Sequence, residues 1–340
     1  MRIRTAYIEI TNQCNFDCAT CYNRSGQNLE TLELSPTQVR GMVARLSEEF
    51  GCQRILLAGG EPCLHSQFQE ILELRETFPA IELGVVTNGS IQDECLIERY
   101  LQDEKVSIQV SLDGSCEEVN ARTRGVGNFK PAQDFIRRLT ATGRKPLVKM
   151  VISRLNYDDV EAFFRMVVSL GAVPEYAFIN CNGNAVEEWN SKSISAQEKL
   201  KVLRLLDRLN QELGVEAFLP VCTSGCPLSE ADAEYSVAIK VDGTIQPCQL
   251  LYHTKYAIGN MMWDTEDTLK DGAERIMQLV IQREHTDYGC SRCLLQSGCK
   301  KGCMALADYR DGDPLGSDGD CEFRKIQFLG FDLPRSHPGK

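Results

Sequence analysis

The chain of 340 residues lacks several features that would fix its class at once. No apolar run reaches about 18 residues, so no membrane span is expected. Low-complexity tracts are missing, and no self-similarity shows at the usual repeat periods, which argues against solenoids and propellers. No export signal precedes Met1 to Ile10, which reads as a strand. Basic residues are outnumbered: 37 Lys and Arg against 48 Asp and Glu leave a net charge of -11. An acidic surface repels phosphate backbones, so no nucleic-acid partner is expected.

What the chain does have is cysteine, sixteen in all. A chain without an export signal is expected in the cytoplasm, where thiols stay reduced. Sixteen thiols there call for another explanation, and metal binding comes first.

Strand-like runs rich in Ile, Val, Leu and Tyr fall at Arg4–Ile10, Arg54–Ala58, Glu82–Thr87, Val106–Ser111, Leu147–Ile152 and Tyr176–Ile179. Helix-like segments lie between them, about Pro36–Phe50, Gln67–Phe78, Gln92–Leu101, Pro131–Thr142 and Asp158–Leu170. Asp158 is placed as an N-cap, and Gly143 and Gly171 as helix ends. Six strand–helix units in succession predict an α/β fold with a parallel sheet, open or curled into a full or partial barrel. Ligands in such folds sit at the C-terminal strand ends. Four consecutive strands finish there in polar or glycine-rich turns: the Cys14–Cys21 loop, Gly59-Gly60-Glu61-Pro62, Thr87-Asn88-Gly89 and Ser111-Leu112-Asp113-Gly114. After a long helix at Ala196–Leu213 comes a region, about 220–325, dense in cysteine and glycine and poor in periodic apolar residues. Bound metals would crosslink it.

Cys14, Cys18 and Cys21 place three thiols within eight residues. Three thiolates can hold three irons of a cubane and leave the fourth iron without a protein ligand, open to a small chelating molecule. A structural zinc site would add a fourth Cys or His nearby, and none follows; His65 is the nearest histidine. The C-terminal array is Cys222, Cys226, Cys248, Cys290, Cys293, Cys299, Cys303 and Cys321, enough for two four-thiolate sites, of iron–sulfur or of zinc.

The Cys-x-x-x-Cys-x-x-Cys loop after a first strand resembles the signature of radical S-adenosylmethionine enzymes, and the C-terminal array resembles their SPASM extension. The resemblance spans about residues 4–325. It implies a partial (β/α)6 TIM-like barrel over 1–185, a helical linker over 186–220, a small cysteine-rich auxiliary-cluster domain over 221–325, and a tail over 326–340. It implies three 4Fe-4S clusters and S-adenosylmethionine as cofactors, with Cys14, Cys18 and Cys21 holding the cluster that chelates S-adenosylmethionine. One auxiliary cluster would take Cys222, Cys226, Cys248 and Cys303, and the other Cys290, Cys293, Cys299 and Cys321. Gly59, Gly60, Glu61 and Pro62 resemble the motif for the methionyl amine, Ser111 the strand end near the ribose, and Arg124 an arginine near the carboxylate. A bare reading of Arg124 is a solvated surface charge. The sequence departs from the family at Thr20, where an aromatic often stands; Tyr22 follows the third cysteine instead.

Of the five remaining cysteines, Cys52 and Cys95 are expected away from the site, and Cys63, Cys116 and Cys181 just after strand ends. The bland reading of each is a small buried apolar residue. Cys181 is the candidate donor of a hydrogen atom to a substrate radical. The family implies hydrogen abstraction from substrate and an electron donor such as flavodoxin or ferredoxin. The expected reaction is crosslinking or epimerisation of a ribosomally made peptide, although no leader-binding domain precedes the first strand. The alternatives are oxidation, decarboxylation or epimerisation of a sugar, aminoglycoside or tetrapyrrole side chain, and oxidation of a sulfatase Cys or Ser to formylglycine. A zinc-binding interaction protein is the remote alternative.

Overall fold

The computed structural model describes residues 1–330, apart from 92, 103, 221–225, 227, 229–233 and 296–297. Its elements run Arg2–Thr11 (β1), Pro36–Glu48 (α1), Arg54–Gly59 (β2), Phe68–Leu72 (α2), Leu74–Thr77 (α3), Glu82–Thr87 (β3), Glu94–Gln102 (α4), Val106–Ser111 (β4), Glu117–Arg124 (α5), Phe129–Ala141 (α6), Leu147–Ile152 (β5), Val160–Ser169 (α7) and Val173–Phe178 (β6). They continue with Trp189–Lys192 (α8), Ala196–Leu213 (α9), Glu234–Ile239 (β7), Thr244–Gln246 (β8), Gly259–Asn260 (β9), Glu266–His285 (α10), Met304–Asp311 (α11) and Cys321–Gly330 (α12). The six strand–helix units expected from the sequence are all present, and the chain is an α/β fold with parallel strands.

Local chemistry accounts for the clearest boundaries. Ser35 and Ser195 each open a helix with a capping box, closed by Gln38 and Glu198. Gly214, left-handed at φ 61, ends α9. Gly143 and Gly171, at φ 87 and 77, stop their helices as expected.

Three details differ from the sequence-based expectation. Helix α7 starts after a 3-10 turn at Tyr157–Asp159, so Asp158 is not its N-cap; Asp159 stands there without capping, and its carboxylate binds Ser115 instead. Strand β6 begins three residues early, at Val173, because Pro174 inside it hides the strand pattern. The cysteine-rich region also holds more core than its composition suggests: in α10, Leu269, Ala273, Ile276 and Val280 form one buried stripe.

The described residues group into two compact units, each assembled from separated segments. One takes Met1–Cys18, Asn23–Val110 and Pro227–Ile281; the other takes Ala19–Tyr22, Ser111–Cys226 and Gln282–Lys340. In the first, β1 lies between β2 and β7, parallel to both, and β2 pairs with β3 and β3 with β4, again parallel. Ile8 and Ile10 of β1, with Ile55 and Leu57 of β2, are sealed from solvent beside Val39 and Leu46 of α1. In the second, β5 and β6 pair parallel, and Tyr176 packs between Phe163 and Phe164 of α7. Leu200 and Leu203 of α9 pack on Phe323 of α12, with Phe178 at its edge. Among the described residues no helix is long and apolar enough to cross a membrane.

Candidate functional site

Parallel pairing puts the turns after β1, β2 and β3 at one edge of the first unit's sheet, and they are fastened to one another there. The Gly60 N–H bonds the Thr11 carbonyl at 2.9 Å and the Glu61 N–H bonds the Gln13 carbonyl at 2.7 Å. Gly59, at φ 132, presses its α-carbon on Thr11, and Gly60 presses on Gln13, so a side chain at either position would overlap main chain. This turn therefore braces the segment entering Cys14. Gly26 lies equally tight against Phe16 and Asp17, inside the cysteine loop.

Glu61 is buried and works as a fastener. Its carboxylate accepts from the Thr87 hydroxyl at 2.8 Å, the Asn88 N–H at 2.7 Å and the Cys63 N–H at 3.2 Å, joining the β2 turn to the end of β3. Burial pushes its pKa up, and those hydrogen bonds oppose the rise. Asn88 then donates to Asn15 at 2.9 Å, and Asn15 to Ser90 at 2.9 Å, so the neighbour of Cys14 is tied to the third turn. Pro62 opens the short 3-10 turn Pro62–Leu64.

A second network in this unit was not legible beforehand. Both carboxylate oxygens of the buried Glu9 lie 2.6 Å from the Tyr252 hydroxyl. Asn23 bridges Glu9 and the Gly59 carbonyl at 3.4 Å each. Lys240 sits 3.9 Å above the Tyr252 ring and bonds its carbonyl at 3.0 Å. Burial lowers the Lys240 pKa, with Glu9 and Asp242 pulling it back up. Four residues before Tyr252 stands Cys248, whose sulfur accepts the Leu251 N–H at 3.4 Å.

In the second unit, Ser111 ends β4, and Asp113 and Arg124 form a buried ion pair at 2.8 Å, with side chains 0% and 12% exposed. The surface reading of Arg124 is thereby overturned: helix α5 turns it inward onto Asp113. Asp113 also accepts the Val151 N–H at 2.8 Å, and its carbonyl accepts from Asn156 at 2.9 Å. Within this unit the Asn184 N–H bonds the Cys21 carbonyl at 2.9 Å, and Gly183, at φ 54, leaves no space for a Cβ over Cys21 and Tyr22. The Ala19 N–H bonds the Thr123 carbonyl at 2.7 Å. Cys181 is buried, which pushes its thiol pKa up; Arg310 pulls it down and Asp311 up.

The C-terminal cysteines of this unit ride on a scaffold of buried charges. Arg283 of α10 donates to the carbonyls of Gly316, Lys300, Gly302 and Lys301 at 3.1, 3.0, 2.9 and 2.7 Å, gripping the chain between Cys299 and Cys303. Lys301, left-handed at φ 64, returns its ammonium to the carbonyls of Arg283 and Thr286. Arg324 and Asp318 form a buried pair at 2.8 and 2.6 Å, and Asp318 accepts the Cys303 N–H at 2.9 Å. Asp287 accepts the N–H groups of Gly289 and Cys290 at 2.9 and 3.1 Å. Ser317 and Cys321 lie 3.0 Å apart.

Burial lowers the pKa of Arg283, with Asp318, Cys303 and Cys226 opposing it; burial also lowers that of Arg324, but Asp318, with Cys299 and Cys321 adding, raises it overall. Cys290 acts on Lys301. Cys222 lies outside the described residues. None of the fifteen described cysteines is in a disulfide. No three Cys, His, Asp or Glu side chains among the described residues converge as a ready metal cage. Within the first unit, Gly60 packs tightly on Gln13 and Gly26 on Phe16 and Asp17, so the main chain on either side of Cys14 is held in place, and sulfur is the donor type iron–sulfur clusters take.

Of the leftover cysteines, Cys52 precedes β2 and donates to the carbonyls of Arg4 and Arg54, while Cys95 is exposed. Cys116 is exposed at the start of α5. Cys63 lies 3.6 Å from the Tyr100 hydroxyl.

Residues 8–167 match the model of the radical SAM superfamily. The chain is similar to mycofactocin maturase MftC of Mycolicibacterium smegmatis, 26% identical over 324 residues, which covers 92% of this chain and 81% of that protein. Among solved structures it is similar to native anSMEcpe with bound AdoMet, at a TM-score of 0.75 and 18% identity, covering 96% of each chain. It is also similar to Streptococcus suis SuiB bound to precursor peptide SuiA, at a TM-score of 0.74 and 14% identity, covering 93% of this chain and 75% of that one. At such identities these two likenesses concern the fold.

Proposed function

This chain is a member of the radical SAM superfamily whose cysteine-rich C-terminal region fits the SPASM extension, and from that premise we propose that it cleaves S-adenosylmethionine reductively in order to mature a peptide. The family uses a 4Fe-4S cluster and S-adenosylmethionine. Held by this chain, that pair would supply one-electron reductive cleavage of the sulfonium and, through it, hydrogen abstraction from substrate. Cys14, Cys18 and Cys21 are the ligands we assign to it. Gly59 and Gly60 offer main-chain carbonyls to the methionyl amine, with Glu61 and Pro62 fixing the turn. Ser111 serves the ribose. Arg124 serves the carboxylate, with Asp113 fixing its orientation. Cys181, kept protonated by burial, is the hydrogen donor in the epimerisation form of the reaction.

Two auxiliary 4Fe-4S clusters complete the assignment, one on Cys222, Cys226, Cys248 and Cys303 and one on Cys290, Cys293, Cys299 and Cys321. We take 1–185 as the catalytic part, 186–220 as linker, 221–325 as the auxiliary part and 326–340 as a tail. We also infer a flavodoxin or ferredoxin as electron donor and a cytoplasmic setting.

The observation that carries the peptide reading is the match to a peptide maturase along 92% of this chain. The fold shared with a protein solved on its precursor peptide agrees with it. Anaerobic reconstitution should give about twelve irons per chain, from three four-iron clusters, and 5'-deoxyadenosine on reduction. Replacing Cys14, Cys18 and Cys21 together by Ala should leave about eight irons and no 5'-deoxyadenosine. Zinc in place of iron, or cleavage that survives the replacement, would sink the assignment. The peptide substrate is tested with short peptides encoded beside the gene: a mass change that depends on S-adenosylmethionine supports it. Turnover of a small molecule with all such peptides inert would move the enzyme to the other class.

A further inference from the structure

Lys192 ends α8 in the second unit and is buried, at 8% exposed. Its ammonium donates to the main-chain carbonyls of Asn184 at 2.9 Å and Glu187 at 2.8 Å. Both acceptors are uncharged, and no ion pair joins Lys192 to a carboxylate among the described residues. An ammonium has three hydrogens to donate, so one is left over. A buried charge without a counter-charge is strongly unfavourable, so an anion is expected to complete it. A second donor on the same turn is also unspent. Asn182 is 3% exposed, and its side-chain nitrogen is buried without a hydrogen-bond partner. Asparagine at the start of a helical turn ordinarily spends its side chain on that turn's own N–H groups. Asn182 opens the 3-10 turn Gly183–Ala185 without doing so. This turn directly follows Cys181, and its Asn184 N–H holds the Cys21 carbonyl.

We propose that Lys192 and Asn182 form a subsite for a carboxylate of the peptide substrate, which fixes the peptide at the turn after Cys181. The inference rests on the peptide reading given above. One ammonium matches a singly charged anion, and the anionic groups of an unmodified peptide are its C-terminal carboxylate and its Asp and Glu side chains. The two donors divide the work: the ammonium supplies attraction, and the amide N–H supplies direction. The carbonyl bonds keep the ammonium at the turn. Asn184 anchors both sides, since its carbonyl holds Lys192 and its N–H holds Cys21. A carboxylate bound here is therefore placed in fixed register with the third cysteine. Peptides are selected by where they carry that charge.

The test uses the reconstituted full chain, wild type and Lys192→Met, with the short peptide encoded beside the gene. The peptide is made in three forms: native, C-terminally amidated, and with its Asp and Glu changed to Asn and Gln. Calorimetry reads binding, and mass spectrometry reads kcat and KM. Wild type that cleaves S-adenosylmethionine but neither binds nor modifies any such peptide would refute the peptide reading, and this subsite with it. With a peptide accepted, one neutral form should raise the wild-type KM about tenfold. Which form does so tells a C-terminal carboxylate from a side chain. Lys192→Met should raise KM for the native peptide about tenfold, with no further rise for that neutral form. Three results would overturn the proposal: a wild type indifferent to both neutral forms, a Lys192→Met that weakens native and neutral peptides by one factor, or an equal rise in its KM for S-adenosylmethionine. Should Lys192→Met fail to fold, Asn182→Asp carries the test. It keeps the size and adds a negative charge, so it should prefer the neutral form about tenfold, reversing the wild-type preference; an unchanged preference overturns the idea.

Discussion

Replacing Arg124 by Met tests whether the second unit is built around a buried charge pair. In the native chain Asp113 has no contact with solvent and meets Arg124 at 2.8 Å, with a second carboxylate bond to the Val151 N–H at 2.8 Å. Methionine fills much of the same volume but leaves the carboxylate unmatched in the interior. Removing one partner of a buried pair costs about 3–5 kcal/mol. Replacing Asp113 by Asn in the same chain keeps the acceptor for Val151 and removes the stranded charge, so the double variant should recover at least about 2 kcal/mol. Urea unfolding followed by circular dichroism, on all four members of the cycle at one pH, reads these differences as midpoint shifts at constant slope. A loss below about 1 kcal/mol in Arg124→Met is the value of a solvated surface pair. That result, or a double variant no better than the single one, would refute the reasoning.

Two further outcomes follow from titrating groups. Glu61→Gln keeps one acceptor and turns a donor toward the Thr87 hydroxyl or the Asn88 N–H, so it should destabilise by about 2 kcal/mol. Because burial raises the Glu61 pKa, the folded chain holds this proton more tightly than the unfolded chain does. The wild-type advantage over Glu61→Gln should therefore be greatest in acid and decline as pH rises through the carboxylate range; a gap that widens with pH contradicts the assignment. Iodoacetamide under native conditions, with sites read by mass spectrometry, should modify the exposed Cys95 and Cys116 first and Cys52 and Cys63 last, since burial pushes the latter two thiols up. Early modification of Cys63 would mean that the turn after β2 opens readily.

The sequence was legible where the information is local. Strands β3, β4 and β5 and helix α9 lie at their expected residues, because alternating apolar positions and a Ser-x-x-Glu box are complete signals in short windows. It was less so at β6, where Pro174 weakened the strand signal, and in the cysteine-rich region, where the stripe from Leu269 to Val280 is periodic but sits among cysteines and glycines that mask it. The turns at Gly59 and Glu61 could be recognised, but their reason could not: Glu61 meets Thr87 and Asn88, 26 and 27 residues away. Arg283, Arg324 and Asp318 gave no signal, since in sequence a buried charge looks like any solvated one until its partner is known.

The position of β1 has a consequence for biosynthesis. It leaves the ribosome before the other strands described, yet β7 pairs along one of its two edges, and the hydroxyl that meets Glu9 belongs to a residue 243 positions later. At about 5–20 residues per second, translation needs roughly ten to fifty seconds to supply it. Throughout that interval an apolar strand edge and a carboxylate destined for the interior wait without their mates. The nascent chain is therefore a natural client for holding chaperones, and slowing translation between the two halves should lower the yield of folded protein more than slowing it anywhere after Tyr252.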